Sequence, residues 1–316
     1  MHRLVLTLLA VLAASPVIAQ TTFPVRPVTI VVPFGPGSGS DTVTRILGQR
    51  LSEALGQPVV IENKGGANGA VAASAVARSA ADGYTLFVGT NSSHGSNPTL
   101  MKSLSYDPIK DFAPIVRVGI FTYFLIVDSA LPVRSVPDLV AFGRAKPTSM
   151  ATGNTTSIVM GETFVRRLGL DPLRVPYRSV PQALTDMMAG RVGFMFADIS
   201  TSISLVQAGS IRALAITSPT RSAGLPDVPT IQETVLPDFA IESWIGLFAP
   251  AGTPAEVTGR IASELTRILD DPAMKARLVD LGVEAKPVSG PAFTAFVADE
   301  IAKWGSLVKA AGIQAE

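Results

Sequence analysis

The sequence predicts an α/β protein built as two lobes with a cleft between them. Short β-branched segments alternate with helical patterns of apolar residues from residue 27 to about residue 90, and the alternation resumes after residue 120. No low-complexity linker separates these two units. Strand–helix–strand order favours a parallel sheet with right-handed crossovers, so each unit is expected to form its own sheet. Because there is no linker, strand-like segments near residues 118–124 and 240–246 are expected to cross between the lobes.

The first unit begins with a β-branched strand at residues 27–32. After a glycine-rich loop, Asp41 is a suitable N-cap for a helix whose apolar residues recur at helical spacing until Gly56. The segments that follow are predicted as a strand at 59–61, a glycine-rich turn at 64–69, an alanine-rich helix ending at residue 80 and a strand at 84–88.

The second unit repeats this order less regularly. Its predicted strands are 121–127, 150–152, 173–176, 192–197 and 213–217, and its predicted helices are 136–145, 157–168 and 181–189. Two amphipathic helices at 254–269 and 290–311 then follow with little new strand pattern, which indicates a return to the first lobe. The expected division is a discontinuous first lobe of residues 20–121 plus 243–316 and a second lobe of residues 122–242.

The first nineteen residues have the features of a signal peptide. Arg3 supplies a positive charge, residues 4–14 form an almost unbroken apolar run, and residues 17–19 (VIA) have small or modest side chains. Cleavage before Gln20 and export to the periplasm are therefore expected. The apolar run is too short to span a bilayer comfortably, so a retained anchor is the weaker alternative.

Charge and composition exclude several classes of function. The chain has 26 Lys+Arg and 25 Asp+Glu; loss of residues 1–19 removes only Arg3 from this count, which leaves 25 against 25 and a net charge of zero. No run of five like charges indicates a nucleic-acid or membrane surface. Cysteine is absent, which excludes disulfides, thiolate metal sites and thiol nucleophiles. Once His2 is lost with the signal, His94 is the single remaining histidine, so no metal site, cofactor or catalytic centre is expected.

Three loops are expected at the carboxyl ends of strands, where open parallel sheets bind ligands and helix N-termini converge. They span residues 34–41, 89–94 and 152–157, and each offers hydroxyl, amide or backbone donors without any lysine or arginine. Free N–H groups at a helix N-terminus favour anions. The candidate ligand-binding residues in these loops are Phe34, Gly35, Ser38, Gly39, Ser40, Asp41, Asn91, His94, Thr152, Gly153, Asn154, Thr155 and Thr156.

Two further strand ends are expected to face the cleft. They contribute Tyr177, Arg178 and Ser179 from one strand and Phe196, Ala197 and Asp198 from another. Arg178 is equally compatible with a solvated charge at the rim. Asp41 and His94 are more typical of a helix cap and a loop hydrogen-bonding residue than of ligand groups.

The glycine-rich loop leaves an enzymatic alternative open. Gly35 and Gly37 occupy the first two positions of a dinucleotide-binding fingerprint, but Ser40 stands where the third glycine belongs. A nucleotide-cofactor enzyme is therefore one alternative, and a turn that serves only the fold is another. The sequence has neither a Gly-Lys-Ser/Thr phosphate loop nor a Gly-x-Ser-x-Gly nucleophile elbow.

Collinear segments with distinctive sequences run along the whole chain. They are residues 27–34 (PVTIVVPF) with the loop through Asp41, 57–63 (QPVVIEN), 82–86 (DGYTL), 106–114 (YDPIKDFAP), 175–177 (VPY), 225–230 (LPDVPT), 246–250 (GLFAP) and Trp304. Together they resemble the Bug-type extracytoplasmic receptors of tripartite tricarboxylate transporters. The resemblance implies a two-lobe periplasmic-binding-protein fold of the second structural type. It also implies a ligand carboxylate held by backbone and hydroxyl groups of loops 34–41 and 152–157, partly through water, and delivery to membrane permease subunits by a monomer.

The chain departs from that family's pattern at three places that face the expected cleft. Ile158 stands where similar receptors commonly have histidine, and Arg178-Ser179 replaces a lysine-glycine pair. The usual Asp-Asn pair is displaced, so that Ala197-Asp198 occupies its place. These positions are where ligand specificity is expected to be set. A ligand-sensing subunit of the same fold, acting on a membrane signalling partner, is an alternative to transport.

Overall fold

The structure, a computed structural model, describes residues 23–222 and 224–315. The predicted signal peptide at residues 1–19 lies outside this part of the chain. Two β-sheets, each packed against helices, confirm the two-lobe α/β class. No helix within the described residues has the length and apolar character needed to cross a membrane.

The strands and helices alternate along most of the chain. The strands are β1 (Val28–Val32), β2 (Val59–Asn63), β3 (Thr85–Thr90), β4 (Phe112–Phe121), β5 (Tyr123–Asp128), β6 (Ser149–Thr152), β7 (Leu173–Pro176), β8 (Phe194–Asp198), β9 (Ile211–Ile216), β10 (Ser243–Pro250) and β11 (Val283–Ser289). The helices are α1 (Gly39–Leu55), α2 (Ala70–Ala77), α3 (Asn97–Leu100), α4 (Val136–Ala145), α5 (Thr155–Leu168), α6 (Val180–Met188), α7 (Ile199–Gln207), α8 (Ile231–Thr234), α9 (Ala255–Asp270), α10 (Pro272–Val279) and α11 (Gly290–Ala310).

The first sheet has the strand order β11-β4-β10-β3-β1-β2, and we call it with its helices the first lobe. β1 pairs in parallel with β2 and β3, which confirms the parallel arrangement predicted for the first unit. The other three strands pair antiparallel: β10 with β3 and β4, and β11 with β4.

The second sheet has the order β7-β6-β8-β5-β9 and forms, with its helices, the second lobe. β6 pairs in parallel with β7 and β8, whereas β5 is antiparallel to both of its neighbours. Each lobe therefore contains a mixed sheet, and its parallel strands lead into the loops that were predicted to bind the ligand.

Buried apolar residues anchor the two elements, β1 and α1, that flank the first glycine-rich loop. Ile30 and Val32 of β1 and Val43, Leu47 and Leu51 of α1 are all buried in one apolar cluster. The valine and leucines of α1 are four residues apart and so lie on one face of the helix. Each such side chain stabilises the fold by about 1.5–3 kcal/mol when fully buried. The loop between β1 and α1 is held between two anchored elements.

One crossing between the sheets occurs at a single residue. β4 ends at Phe121 and β5 begins at Tyr123, so the strand predicted at 121–127 spans the junction of two strands. Thr122 at the junction donates its N–H to the carbonyl oxygen of Gly282 at 2.9 Å and accepts the N–H of Ile199 at 3.3 Å. The second crossing leads into β10. The residue limits proposed for the two lobes stay a prediction.

The C-terminal third contains more sheet than expected. β10 and β11 both join the first sheet, and α10 lies between the two predicted helices, so the expectation of little new strand was wrong. β11 (VEAKPVS) is an edge strand of mixed exposure. Its lysine and proline break the alternating pattern, because edge strands tolerate both residue types.

Candidate functional site

The loop between β1 and α1 brings one helix N-terminus to the boundary between the lobes. Gly37 turns the chain with φ of +77°, a left-handed conformation that favours glycine. Ser38 then caps α1, and its Oγ accepts the N–H of Asp41 at 3.4 Å. The remaining free N–H groups of the first turn of α1 lie at the carboxyl end of β1.

α5 supplies a second N-terminus, from the other lobe. Asn154 caps it through Oδ1, which accepts the N–H of Ser157 at 2.8 Å, and Ser157 Oγ accepts the N–H groups of Asn154 and Gly153. A Cβ on Gly153 would lie 2.7 Å from the backbone nitrogen of Val180. Glycine therefore permits the start of α5 to pack closely against the start of α6.

A cavity, which we call the inner cavity, lies between the lobes where α1, α5, α6 and α7 begin. Most of its polar lining is neutral, and aromatic rings contribute to its wall. The lining residues are Phe34, Ser38, Gly39, Ser40, Thr90, Asn91, Ser92, Phe121, Tyr123, Gly153, Asn154, Thr156, Ser179, Val180, Asp198, Ser243 and Trp244. Converging helix N-termini and neutral donors suit an anionic group.

Side-chain hydrogen bonds connect the lobes beside this cavity. Asn91 Nδ2 of the first lobe donates to Thr156 Oγ1 of the second at 2.6 Å, and Ser243 Oγ donates to Asn91 Oδ1. Ser96 Oγ donates to Thr155 Oγ1 at 2.9 Å. Asn91 and Thr156 therefore both line the cavity and bond across the boundary, whereas Thr155 only bonds across it.

Tyr123 places a phenol in the cavity wall at the start of β5. Its pKa is raised by burial and by the nearby charge of Asp198, although hydrogen bonds with Thr156, Ser243 and Asn154 act in the opposite direction. The hydroxyl therefore keeps its proton and can serve as a neutral donor.

Two lining residues carry buried polar atoms that have no hydrogen-bond partner within the described residues. They are Oγ1 of Thr90 and the indole Nε1 of Trp244. An indole N–H can only donate, and an unpaired buried donor costs about 1–3 kcal/mol. Trp244 lies outside the three loops selected from the sequence, whereas Thr90 lies within the loop 89–94.

Asp198 is the one acidic side chain among the cavity's lining residues. It caps α7, and its Oδ1 accepts the N–H of Thr201 at 3.0 Å and the hydroxyl of Ser200 at 2.6 Å. Burial raises the pKa of Asp198, while the hydrogen bonds from Ser200 and Thr201 act in the opposite direction.

A second, wider depression adjoins the inner cavity, and we call it the outer groove. It shares Phe34, Gly153, Asn154 and Ser179 with the cavity. Its other lining residues are Gly35, Gly65, Gly66, Ala67, Asn68, Gly69, Thr152, Ile158, Arg174, Pro176, Tyr177, Arg178 and Gln182. Arg178 is exposed there, and the hydroxyl of Tyr177 donates to Asp186 Oδ2 at 2.8 Å. The candidate residues Gly35, Thr152, Tyr177 and Arg178 thus line the groove and not the cavity.

Asp41 lies beneath the first loop and lines neither the cavity nor the groove. Its carboxylate accepts hydrogen bonds from the N–H of Gly37 at 2.9 Å, from Arg45 Nε at 3.0 Å and from Asn63 Nδ2 at 2.8 Å. Burial acts to raise the pKa of Asp41, but these bonds outweigh it and hold the pKa below its ordinary value. Asp41 therefore fixes the loop from the side away from the cavity.

His94 is also placed outside the cavity. It lies in a π-helical turn and stacks on Phe248 with ring centroids 4.2 Å apart, with Phe87, Phe112 and Trp244 around it. Its Nδ1 lies 3.0 Å from Ser93 Oγ. Burial lowers the pKa of His94 to about 3, so the ring is neutral. The sequence could not indicate that His94 is buried in the core, because the turn that directs its ring there has no distinctive sequence pattern.

Phe196 and Ala197 of β8 are buried in apolar clusters and line neither space. Since β8 is an interior strand, covered on both faces, its side chains before the strand end face the core. Only Asp198, the last residue of the strand, reaches the cavity. Conversely, Tyr123, Ser243 and Trp244 line the cavity but were not among the candidates, because strand residues next to a crossing resemble ordinary core positions in sequence. Thr90 also lines the cavity and was not named, although it lies in the loop 89–94.

Residues 43–313 match the sequence profile of the family described as "Tripartite tricarboxylate transporter family receptor". The chain belongs to this family. Protein BugT of Bordetella pertussis (strain Tohama I) is 32% identical over 304 residues, which cover 95% of this chain and 93% of BugT. The tripartite tricarboxylate receptor family is one of solute-binding receptors, and the chain is a solute-binding receptor rather than an enzyme.

Two solved structures of similar proteins contain carboxylates. "R. palustris Rpa4515 with adipate" has a TM-score of 0.91 and 34% identity, and the match covers 93% of this chain and 100% of that one. "MatC (Rpa3494) from Rhodopseudomonas palustris with bound malate" has a TM-score of 0.83 and 33% identity, with coverage of 90% and 100%. Both agree with the two-lobe periplasmic-binding-protein fold of the receptor family.

Proposed function

We propose that the chain is a periplasmic receptor that captures one small carboxylate-containing metabolite in the inner cavity and delivers it to a tripartite tricarboxylate-type membrane permease. The observation that carries the proposal is the meeting of the α1 and α5 N-termini, from opposite lobes, at a cavity lined by neutral donors. A charge-assisted hydrogen bond contributes about 1.5–3 kcal/mol, so several of them can hold a carboxylate without a cationic side chain.

The proposed ligand spans the inner cavity and the outer groove. The carboxylate binds among Ser38, Gly39, Ser40, Gly153 and Thr156, partly through water, which costs little compared with a direct bond. The rest of the molecule extends toward Gly35, Thr152, Tyr177, Arg178 and Ser179. Adipate and malate each carry two carboxylates, and their presence in similar proteins supports a ligand of this class.

The transport cycle follows from the two-lobe architecture. After export and cleavage before Gln20, the receptor acts as a monomer in the periplasm. A ligand that contacts both lobes has more contacts when they are close together, so it shifts the population toward the closed form. The permease then recognises the paired lobe surfaces.

The test is mass spectrometry of the small molecules released when freshly purified receptor is denatured. We expect close to one equivalent of a carboxylic acid per chain, from a sample whose N-terminus is Gln20. Recovery of an uncharged sugar or a cationic compound in its place would contradict the proposal. Turnover of the recovered acid by the purified protein would also contradict it.

A further inference from the structure

Asp198 brings to the inner cavity a carboxylate oxygen that has no hydrogen-bond partner among the described residues. The side chain is 5% exposed, and Oδ1 is occupied by the hydroxyls of Ser200 and Thr201 and the N–H of Thr201. Oδ2 accepts no hydrogen bond from another residue of the described ranges 23–222 and 224–315. One oxygen of this carboxyl group thus serves as the cap of α7, and the other remains available.

The carboxyl group also lies against the opposite lobe. A Cβ on Gly39 would be 2.3 Å from Asp198 Oδ1, so the side chain packs directly on the first residue of α1. Asp198 is therefore placed at the N-termini of two helices, its own α7 and the facing α1. Both helix dipoles favour the ionised form of the carboxyl group, as do the hydrogen bonds to Oδ1, whereas burial raises its pKa.

The free Oδ2 changes which ligands suit the cavity. Hydroxyl and amide groups, which form most of the polar lining, can donate to a ligand carboxylate, but Oδ2 of an ionised Asp198 in the same enclosed space repels it. A hydrogen-bond donor on the ligand would satisfy the free Oδ2 and offset that repulsion, whereas a ligand with acceptors alone leaves Oδ2 unpaired. An asparagine at this position would neither repel the ligand carboxylate nor require a hydrogen-bond donor on the ligand.

We propose that Asp198 selects carboxylates that bear a hydrogen-bond donor, a hydroxyl or an ammonium group, close to the bound carboxylate. The inference rests on the proposed carboxylate-binding function and narrows its substrate class from acids in general to hydroxy or amino acids. The donor pairs with Oδ2 while the carboxylate lies at the start of α1 and α5.

The experiment is a calorimetric titration at pH 7.5 of dicarboxylates of four, five and six carbons, each unsubstituted, 2-hydroxylated or 2-aminated. Three proteins are titrated: the wild type, Asp198→Asn and a control, Asp299→Asn. The control removes an exposed carboxylate from α11. Asparagine keeps the N-cap acceptor of α7, so the fold is retained. The hydroxy and amino series distinguish the two donors.

We expect the wild type and Asp299→Asn to bind a substituted acid at least tenfold more tightly than the unsubstituted acid of the same length. In Asp198→Asn this preference should fall at least fivefold, mainly because the unsubstituted acid binds better. An equal preference in wild type and Asp198→Asn, or none in the wild type, would overturn the role of Asp198 while leaving carboxylate binding intact. If the wild type bound no acid of this series, the selection proposed for Asp198 would fail, whereas the proposed function is tested separately by the mass spectrometry of the released ligand.

Discussion

At the residue scale, the polar groups of the inner cavity are already partly bonded to one another. Thr156 accepts from Asn91 Nδ2 across the lobe boundary, and Ser243 donates to Oδ1 of the same asparagine. Such a network fixes the orientation of each hydroxyl before a ligand arrives. Removing one hydroxyl should therefore weaken both the ligand contact and the contact between the lobes.

Thr156→Val and Ser40→Ala should each weaken carboxylate binding by about 1–2 kcal/mol, the magnitude of one lost hydrogen bond. Isothermal titration with the recovered acid measures this directly. Thr163→Val is the matched control, because Thr163 lies on the same helix and its Oγ1 makes no hydrogen bond within the described chain. If both cavity variants kept wild-type affinity, loops 34–41 and 152–157 would not hold the carboxylate.

His94 should make the folded state sensitive to acid although it does not line the cavity. Its pKa is about 3 in the folded chain against 6.5 when exposed, so between these values mainly the unfolded chain binds the proton. The free energy of unfolding therefore falls as pH drops below about 6.5, and by about 2 kcal/mol at pH 5.

Denaturant unfolding at pH 7 and pH 5 tests this expectation with His94→Phe, which keeps a ring between the aromatic neighbours of His94. The wild type should lose about 2 kcal/mol more than the variant over this interval. Equal losses in the two proteins would show that His94 is not the group responsible.

At the scale of the elements, the site depends on how closely α1 approaches α7. Gly39 is the first residue of α1, and a Cβ there would be 2.3 Å from Asp198 Oδ1 and 2.5 Å from Ser200 Oγ. Asp198 cannot easily move away, because it caps α7. The glycine therefore matters for the contact between lobes more than for the conformation of its own loop.

Gly39→Ala should hold the lobes apart and lower ligand affinity at least tenfold while the melting temperature of the ligand-free protein changes little. Gly259→Ala is the control, because Gly259 lies on the exposed face of α9 with nothing within 4 Å of its added Cβ. Titration and thermal unfolding of both variants give the comparison. Unchanged affinity in Gly39→Ala would mean that binding does not need this approach of the lobes.

The elements also show which patterns a sequence can reveal. β1, α1 and β2 were predicted within a few residues, because apolar spacing and a terminal glycine agree there. The predicted cap of α1 was wrong: Ser38 is the N-cap, and Asp41 lies in the first turn of the helix. β11 was missed because an edge strand needs no alternating pattern, and the end of β4 was merged with β5 because both are continuously apolar. The loops 34–41 and 152–157 could be predicted to reach the site, but the contributions of Tyr123 and Trp244 depend on how the two sheets meet.

At the scale of the whole molecule, the two sheets are joined through short segments such as Thr122, whose backbone bonds to the segments before β11 and at the start of α7. Two lobes that are joined at short crossings can move by hinge bending, and this is the motion we propose for ligand binding. The hydrogen bond between Asn91 and Thr156 would then form in the closed state. A ligand carboxylate between α1 and α5 would add charge-assisted bonds that exist only in the closed form.

Small-angle X-ray scattering tests the central claim, that a carboxylate closes the two lobes. The protein is measured alone, with the acid recovered from it, and with the corresponding amide, which has the same shape but no charge. We predict a smaller radius of gyration with the acid and no change with the amide. Identical curves with and without the acid, in a sample where calorimetry shows the acid to be bound, would contradict closure.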